Sequence, residues 1–74
     1  MILAIYKKNK PKDKWLLSSL APDALTAKKY SRMIKKHAKQ LGYEEAQSTI
    51  QSFDTVHDVP KILENPKSEK LIYN

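Results

Sequence analysis

Asp23-Ala24-Leu25-Thr26-Ala27-Lys28-Lys29-Tyr30-Ser31-Arg32-Met33-Ile34-Lys35-Lys36-His37-Ala38-Lys39-Gln40-Leu41-Gly42 is the stretch with the clearest period in this chain. At about 100° per residue, Ala27, Tyr30, Met33, Ile34, His37, Ala38 and Leu41 fall on one side. Lys28, Lys29, Arg32, Lys35, Lys36 and Lys39 gather on the other, within an arc of roughly 120°. The pattern predicts one amphipathic helix starting at residue 24. Asp23 is the candidate N-cap and Thr26 its rival, since short polar side chains bond the free amides of a first turn. Gly42, the single glycine of the chain, directly follows Leu41. That is where a helix ends in a left-handed residue, which glycine adopts without steric cost. Tyr43 is then expected to fold back onto Ala38 or Leu41.

Before the helix, Ile2-Leu3-Ala4-Ile5-Tyr6 is apolar on both alternating faces, as in a central strand covered on both sides. Asn9-Lys10-Pro11-Lys12-Asp13 holds proline and turn formers and reads as a hairpin loop. Trp15 to Leu20 forms the second strand, ended by Ala21-Pro22 because proline donates nothing to a ladder. After the helix, residues 45–53 alternate, with Ala46, Ser48, Ile50 and Ser52 on one face and Gln47, Thr49, Gln51 and Phe53 on the other. They predict a third strand.

Asp58 to Glu64 reads as a short helical turn, capped by Asp58 with Pro60 in its first turn and stopped by Asn65-Pro66. Leu71-Ile72-Tyr73 is a short edge strand or an extended tail. The expected fold is α+β: a ββαβ domain over residues 1–64 with a tail over 65–74. Its antiparallel sheet has three strands in the order 2-1-3, with one long helix on one face. The expected core is Leu3, Ile5, Leu17, Tyr30, Ile34, Ala38, Leu41 and Ile50. The second face would carry Ile2, Ala4, Tyr6, Leu16 and Leu20, or the alternates with Trp15. The segment around Val59, Ile62 and Leu63 covers that face, or a homodimer does.

Composition narrows the function. The 74 residues carry 14 Lys+Arg against 8 Asp+Glu, a net charge of +6, and no cysteine. That excludes a disulfide scaffold, a thiolate zinc site and a cysteine nucleophile. No apolar run approaches the roughly 18–20 residues of a membrane helix. Met1 to Tyr6 is too short for a leader core, and its lysines follow instead of preceding. A cytoplasmic protein with no membrane contact is expected. One glycine cannot build a phosphate loop. His37 and His57 are not at metal-ligand spacing. His37, on the apolar side of the wheel, is expected to be partly buried, and His57 to pair with Asp54 or Asp58 on the surface. Ser18, Ser19, Ser48 and Ser52 lack a nucleophile-elbow context, and Glu44-Glu45 would point to opposite strand faces. No enzyme, cofactor or metal is expected.

The charge is unevenly placed. Residues 1–41 hold eleven cations against two acids, and residues 42–74 hold three against six. The helix face has like-charge pairs at i,i+4 (Lys28–Arg32, Arg32–Lys36 and Lys35–Lys39), each repelling by a few tenths of a kcal/mol. A face that costs stability when empty suggests an anionic partner. The candidate binding residues are those six, with Lys10 and Lys12 from the hairpin loop. Thirteen lysines and one arginine suit phosphates more than base edges. The expected partner is a nucleic-acid backbone contacted without sequence preference. The alternative is a protein–protein adaptor or small inhibitor docking an acidic protein. Trp15, Tyr6 and Tyr73 could stack on bases if exposed; packing in the core or at its rim is the competing role for Trp15 and Tyr6.

Overall fold

The structure, a computed structural model, describes residues 1–63 and the backbone of 71–73. Its elements are β1 (Ile2–Lys8), β2 (Trp15–Ala21), α1 (Ala24–Gln40), β3 (Gln47–Phe53), a 3₁₀ turn (Val56–Asp58), β4 (Ile62–Leu63) and β5 (Leu71–Tyr73). The expected order 2-1-3 forms the centre of the sheet, and every neighbouring pair is antiparallel. The sheet is wider than three strands. β4 adds to the outer edge of β2 and β5 to that of β3, giving the order β4-β2-β1-β3-β5. Residues 65–70 and 74 of the expected tail lie outside the described residues.

The helix ends follow local chemistry. The Asp23 carboxylate accepts from the Thr26 amide at 2.7 Å. That hydrogen bond holds the Asp23 carboxyl below its usual range. At the other end Gly42 has φ +102°. Its amide donates to the Lys39 carbonyl at 3.0 Å, and the Tyr43 amide to the Ala38 carbonyl at 3.1 Å. This is the paired capping pattern that a left-handed residue permits.

The core has two halves, one on each sheet face. On the helix face Leu3, Ile5, Ala21, Ala27 and Ile50 are buried together, with Tyr30 and Ile34 packed at the margin. On the opposite face Ala4, Tyr6, Trp15 and Phe53 cluster with Leu17, Val59 and Leu63. The chain's own segment 59–63 thus packs against the second face, the role that a second copy would otherwise have filled.

Several expectations are corrected. Leu17 belongs to the second face, not to the helix cluster. Ile5 pairs with Ser19 but Tyr6 with Leu17, so the register shifts between them and leaves Ser18 as an extra residue. One extra residue reverses side-chain parity, and Leu17 goes to the side of Tyr6. Leu41 is 64% exposed and Met33 57%, while Ser31 is only 1% exposed. His37 is exposed, not partly buried. The helix is therefore rolled by roughly 50° from the position its apolar residues alone would choose. Small side chains explain the roll. Ala27, Ser31 and Ala38 are the buried helix residues, and they let the helix lie close to the sheet. Ser31 forms a hydroxyl–hydroxyl hydrogen bond with Ser48 of β3, whose hydroxyl also donates to the Ser31 carbonyl at 3.2 Å.

The expected helical turn over 58–64 is also displaced. The turn spans Val56–Asp58, and Ile62–Leu63 is strand. Val59 is extended at φ −83°, ψ 110°, because the ring of Pro60 disfavours helical backbone in the residue before it. Thr55, not Asp58, sits at the N-terminal cap. The Asp58 carboxylate accepts from the Thr55 amide at 3.3 Å and its hydroxyl at 3.0 Å.

Candidate functional site

Lys28, Lys29, Arg32, Lys35, Lys36 and Lys39 are all exposed along α1. The roll that buries Ser31 still leaves this arc in solvent, because its centre lies about 120° around the helix from the small residues that meet the sheet. From Lys28 to Lys39 the row is about 16 Å long at 1.5 Å per residue. The first turn of the helix contains no acid, and no acid occurs between Asp23 and Glu44. Among the described residues, no carboxylate pairs with any of the six. Arg32, Lys35, Lys36, Lys39 and Gln40 line one open groove along the helix. A second groove is lined by Leu25, Thr26, Lys28, Lys29, Arg32 and Met33.

The hairpin loop lies at the C-terminal end of the helix, since Lys8 of β1 pairs with Gln47 of β3 and the helix leads into β3. Asn9 and Lys10 line one hollow with Gly42, Tyr43, Glu44 and Glu45. The loop cations therefore share an end with the helix arc, but two carboxylates line the space between them. Lys10 also closes its own turn: its amide donates to the Asp13 carboxylate at 3.2 Å, and its carbonyl accepts from the Asp13 amide at 3.0 Å. Lys12 is exposed at the loop tip. The structure brings the six helix cations together as one surface and leaves Lys10 and Lys12 as a separate patch behind acids.

Of the candidate aromatics, Tyr6 and Trp15 are committed elsewhere, and the Tyr73 side chain lies outside the described residues. Tyr6 is fully buried and its hydroxyl donates to the Pro60 carbonyl at 2.7 Å. Burial pushes that phenol up to about 12, because the charged form would lose its water. Trp15 is buried, and the Lys8 ammonium stands 4.5 Å from its ring centre while donating to the Pro11 carbonyl at 3.2 Å. A cation over an indole face is an attractive pairing, and it occupies the face a base would use. Tyr6 and Trp15 are thus structural, as their strand-end positions allowed.

Reading the sequence missed the apolar residues beside the cations. Leu25 is 81% exposed, and its position at 100° per residue already placed it within the cation arc. Exposure of Met33 had no local signal, because it depends on the roll of the helix. His57 is exposed within the 3₁₀ turn. Among the described residues, no three of His, Cys, Asp or Glu come together as a metal set, and no helix is long and apolar enough to cross a membrane. Comparison with protein-family models, with curated proteins and with solved structures found no match.

Proposed function

We propose that this protein is a non-enzymatic, cytoplasmic binding module whose α1 cation face contacts a nucleic-acid backbone without sequence preference. The observation that carries this reading is the row of six exposed cations with no pairing carboxylate among the described residues. Duplex DNA presents one phosphate per strand about every 3.4 Å, so a row of about 16 Å spans several phosphates. Each lysine neutralises one phosphate as a point charge and releases the counterion condensed there. Relief of the i,i+4 repulsion adds to that gain. One arginine among thirteen lysines gives little two-pronged reading of guanine, so contact stays with the backbone.

The test is binding of random-sequence DNA and RNA across a salt series. Any one of Lys28, Lys29, Lys35, Lys36 or Lys39 changed to Gln weakens binding equally for all sequences. Each lowers the salt slope by about 0.9 on duplex DNA. Arg32→Lys retains binding, because a backbone contact needs only charge. Fold stability in the Gln variants stays level or rises by a few tenths of a kcal/mol. A wild-type chain that binds neither DNA nor RNA at low salt removes this reading. Leu25 and Met33 beside the cations favour an acidic protein as the second candidate, which random-sequence nucleic acid would fail to displace.

A further inference from the structure

Among the described residues, β2 is paired on its outer side only at its beginning. β4 meets Trp15 and Leu16, and the Leu17 amide donates to the Lys61 carbonyl at 2.9 Å. Beyond that point Ser18 to Ala21 have β1 on one side and, among the described residues, no strand on the other. An unpaired edge offers backbone donors and acceptors to any extended chain. Two apolar hollows flank this edge, one on each face of the sheet. On the helix face Ser18 and Ser19 meet Tyr30, Met33 and Ile34. The other is lined by Ile2, Leu20, Ala21 and Pro22, with Leu20 opposite Ala4 on the second face. A strand sends successive side chains to opposite faces, so a chain laid along Ser18–Ala21 would fill both hollows in turn. A docked helix would fill only one.

Charge selects the occupant. Lys29 and Lys36 sit one turn to either side of Met33 and are exposed. A second copy pairing its own β2 antiparallel would be related by a two-fold axis perpendicular to the sheet. Both helices would then lie on the same face, with Lys29 and Lys36 of each copy turned toward the other, in chains of net charge +6. An acidic chain meets the same residues with the opposite sign.

We propose that the Ser18–Ala21 edge of β2 accepts an extended acidic peptide segment of a partner protein as an added strand. An apolar side chain of that segment enters the Tyr30–Met33–Ile34 hollow, and its carboxylates face Lys29 and Lys36. Backbone hydrogen bonds supply the attachment, and the alternating hollows and lysines supply the selectivity. This surface goes beyond the phosphate-binding reading, although Lys29 and Lys36 border both.

The test uses the full chain, isotope-labelled, titrated with the capped peptide Glu-Val-Leu-Val-Glu and with its counterpart Lys-Val-Leu-Val-Lys. Amide shift changes and slowed hydrogen exchange are expected at Ser18 to Ala21. The basic peptide should bind about tenfold more weakly or worse. Met33→Ser and Leu20→Ser should each weaken the acidic peptide by about fivefold, and Leu20→Ser, remote from the cation face, should leave affinity for random-sequence DNA unchanged. The two readings therefore fail separately. Shifts confined to Lys28, Arg32, Lys35 and Lys39, equal binding of both peptides, or no binding of either at millimolar concentration would overturn the proposal. So would self-association through Ser18 to Ala21.

Discussion

The two faces of the sheet are covered by different means. The helix face is closed by an element formed from one continuous stretch of sequence, held close by the small residues Ala27, Ser31 and Ala38. The opposite face is closed by large aromatics, Tyr6, Trp15 and Phe53, and by the irregular segment carrying Val59, Pro60 and Leu63. A regular helix can approach closely because it satisfies its own backbone. An irregular segment needs side chains to bond its carbonyls, and Tyr6 does this for Pro60. The contrast teaches that small residues set the distance on one face, while a single phenol ties down the other.

The largest expected effect tests the helix face. Ile5 is fully buried between α1 and the sheet, so Ile5→Ala should cost about 2–5 kcal/mol. Chemical denaturation would measure it. Ile34 lies only at the margin of that cluster, so Ile34→Ala should cost less. Equal costs would mean that the helix sits with Ile34 inward and Ser31 outward.

The second effect belongs to the opposite face and is read through pH. The Tyr6 phenol is pushed up to about 12 by burial, against about 10 when unfolded. Between those values the folded chain holds the proton and the unfolded chain releases it. Stability is therefore fully present below pH 10 and is lost as pH rises toward 12, by about 2–3 kcal/mol. Tyr6→Phe should abolish that decline while costing about 1 kcal/mol at neutral pH for the hydrogen bond to Pro60. Denaturation midpoints at pH 8 to 12 for the two chains would show it. A parallel decline in both would place the titrating group elsewhere.

The smallest effect sharpens the helix end that covers the first face. Beyond Gly42 and its two chain neighbours, no atom lies within 4 Å of the site a methyl group would take, so Gly42→Ala meets no tertiary clash. The cost is that of φ +102° alone, about 1 kcal/mol. Thermal melts of the two chains would measure it, and a neutral result would show that the helix can end without a left-handed residue.

Much of this fold was legible in the sequence where the deciding forces are local. Asp23 and Gly42 mark the helix because each acts on amides or carbonyls a few residues away. The two-faced run Ile2 to Tyr6 marks the central strand because both its faces must leave water. The cation arc was legible for the same reason: its spacing is a property of one helix. Leu17 was not, because the extra residue at Ser18 appears only when β2 is laid against β1. Nor were Met33, His37 and Leu41, whose exposure depends on which helix face meets β3.

What the sequence determined by itself, then, is where the helix and central strands lie, how the helix ends, and that six cations share one side of it. Each is settled by sterics and hydrogen bonds within one or two turns of chain. The tertiary structure alone decided the roll of the helix onto Ser31 and Ser48, the change of face at Leu17, and the tie between Tyr6 and Pro60. It also set the Lys8 ammonium over Trp15 and, among the described residues, left Ser18 to Ala21 as an open edge. These depend on the fit of two segments distant in sequence. A hydroxyl pair or a close approach of small side chains has no energy until both surfaces are present.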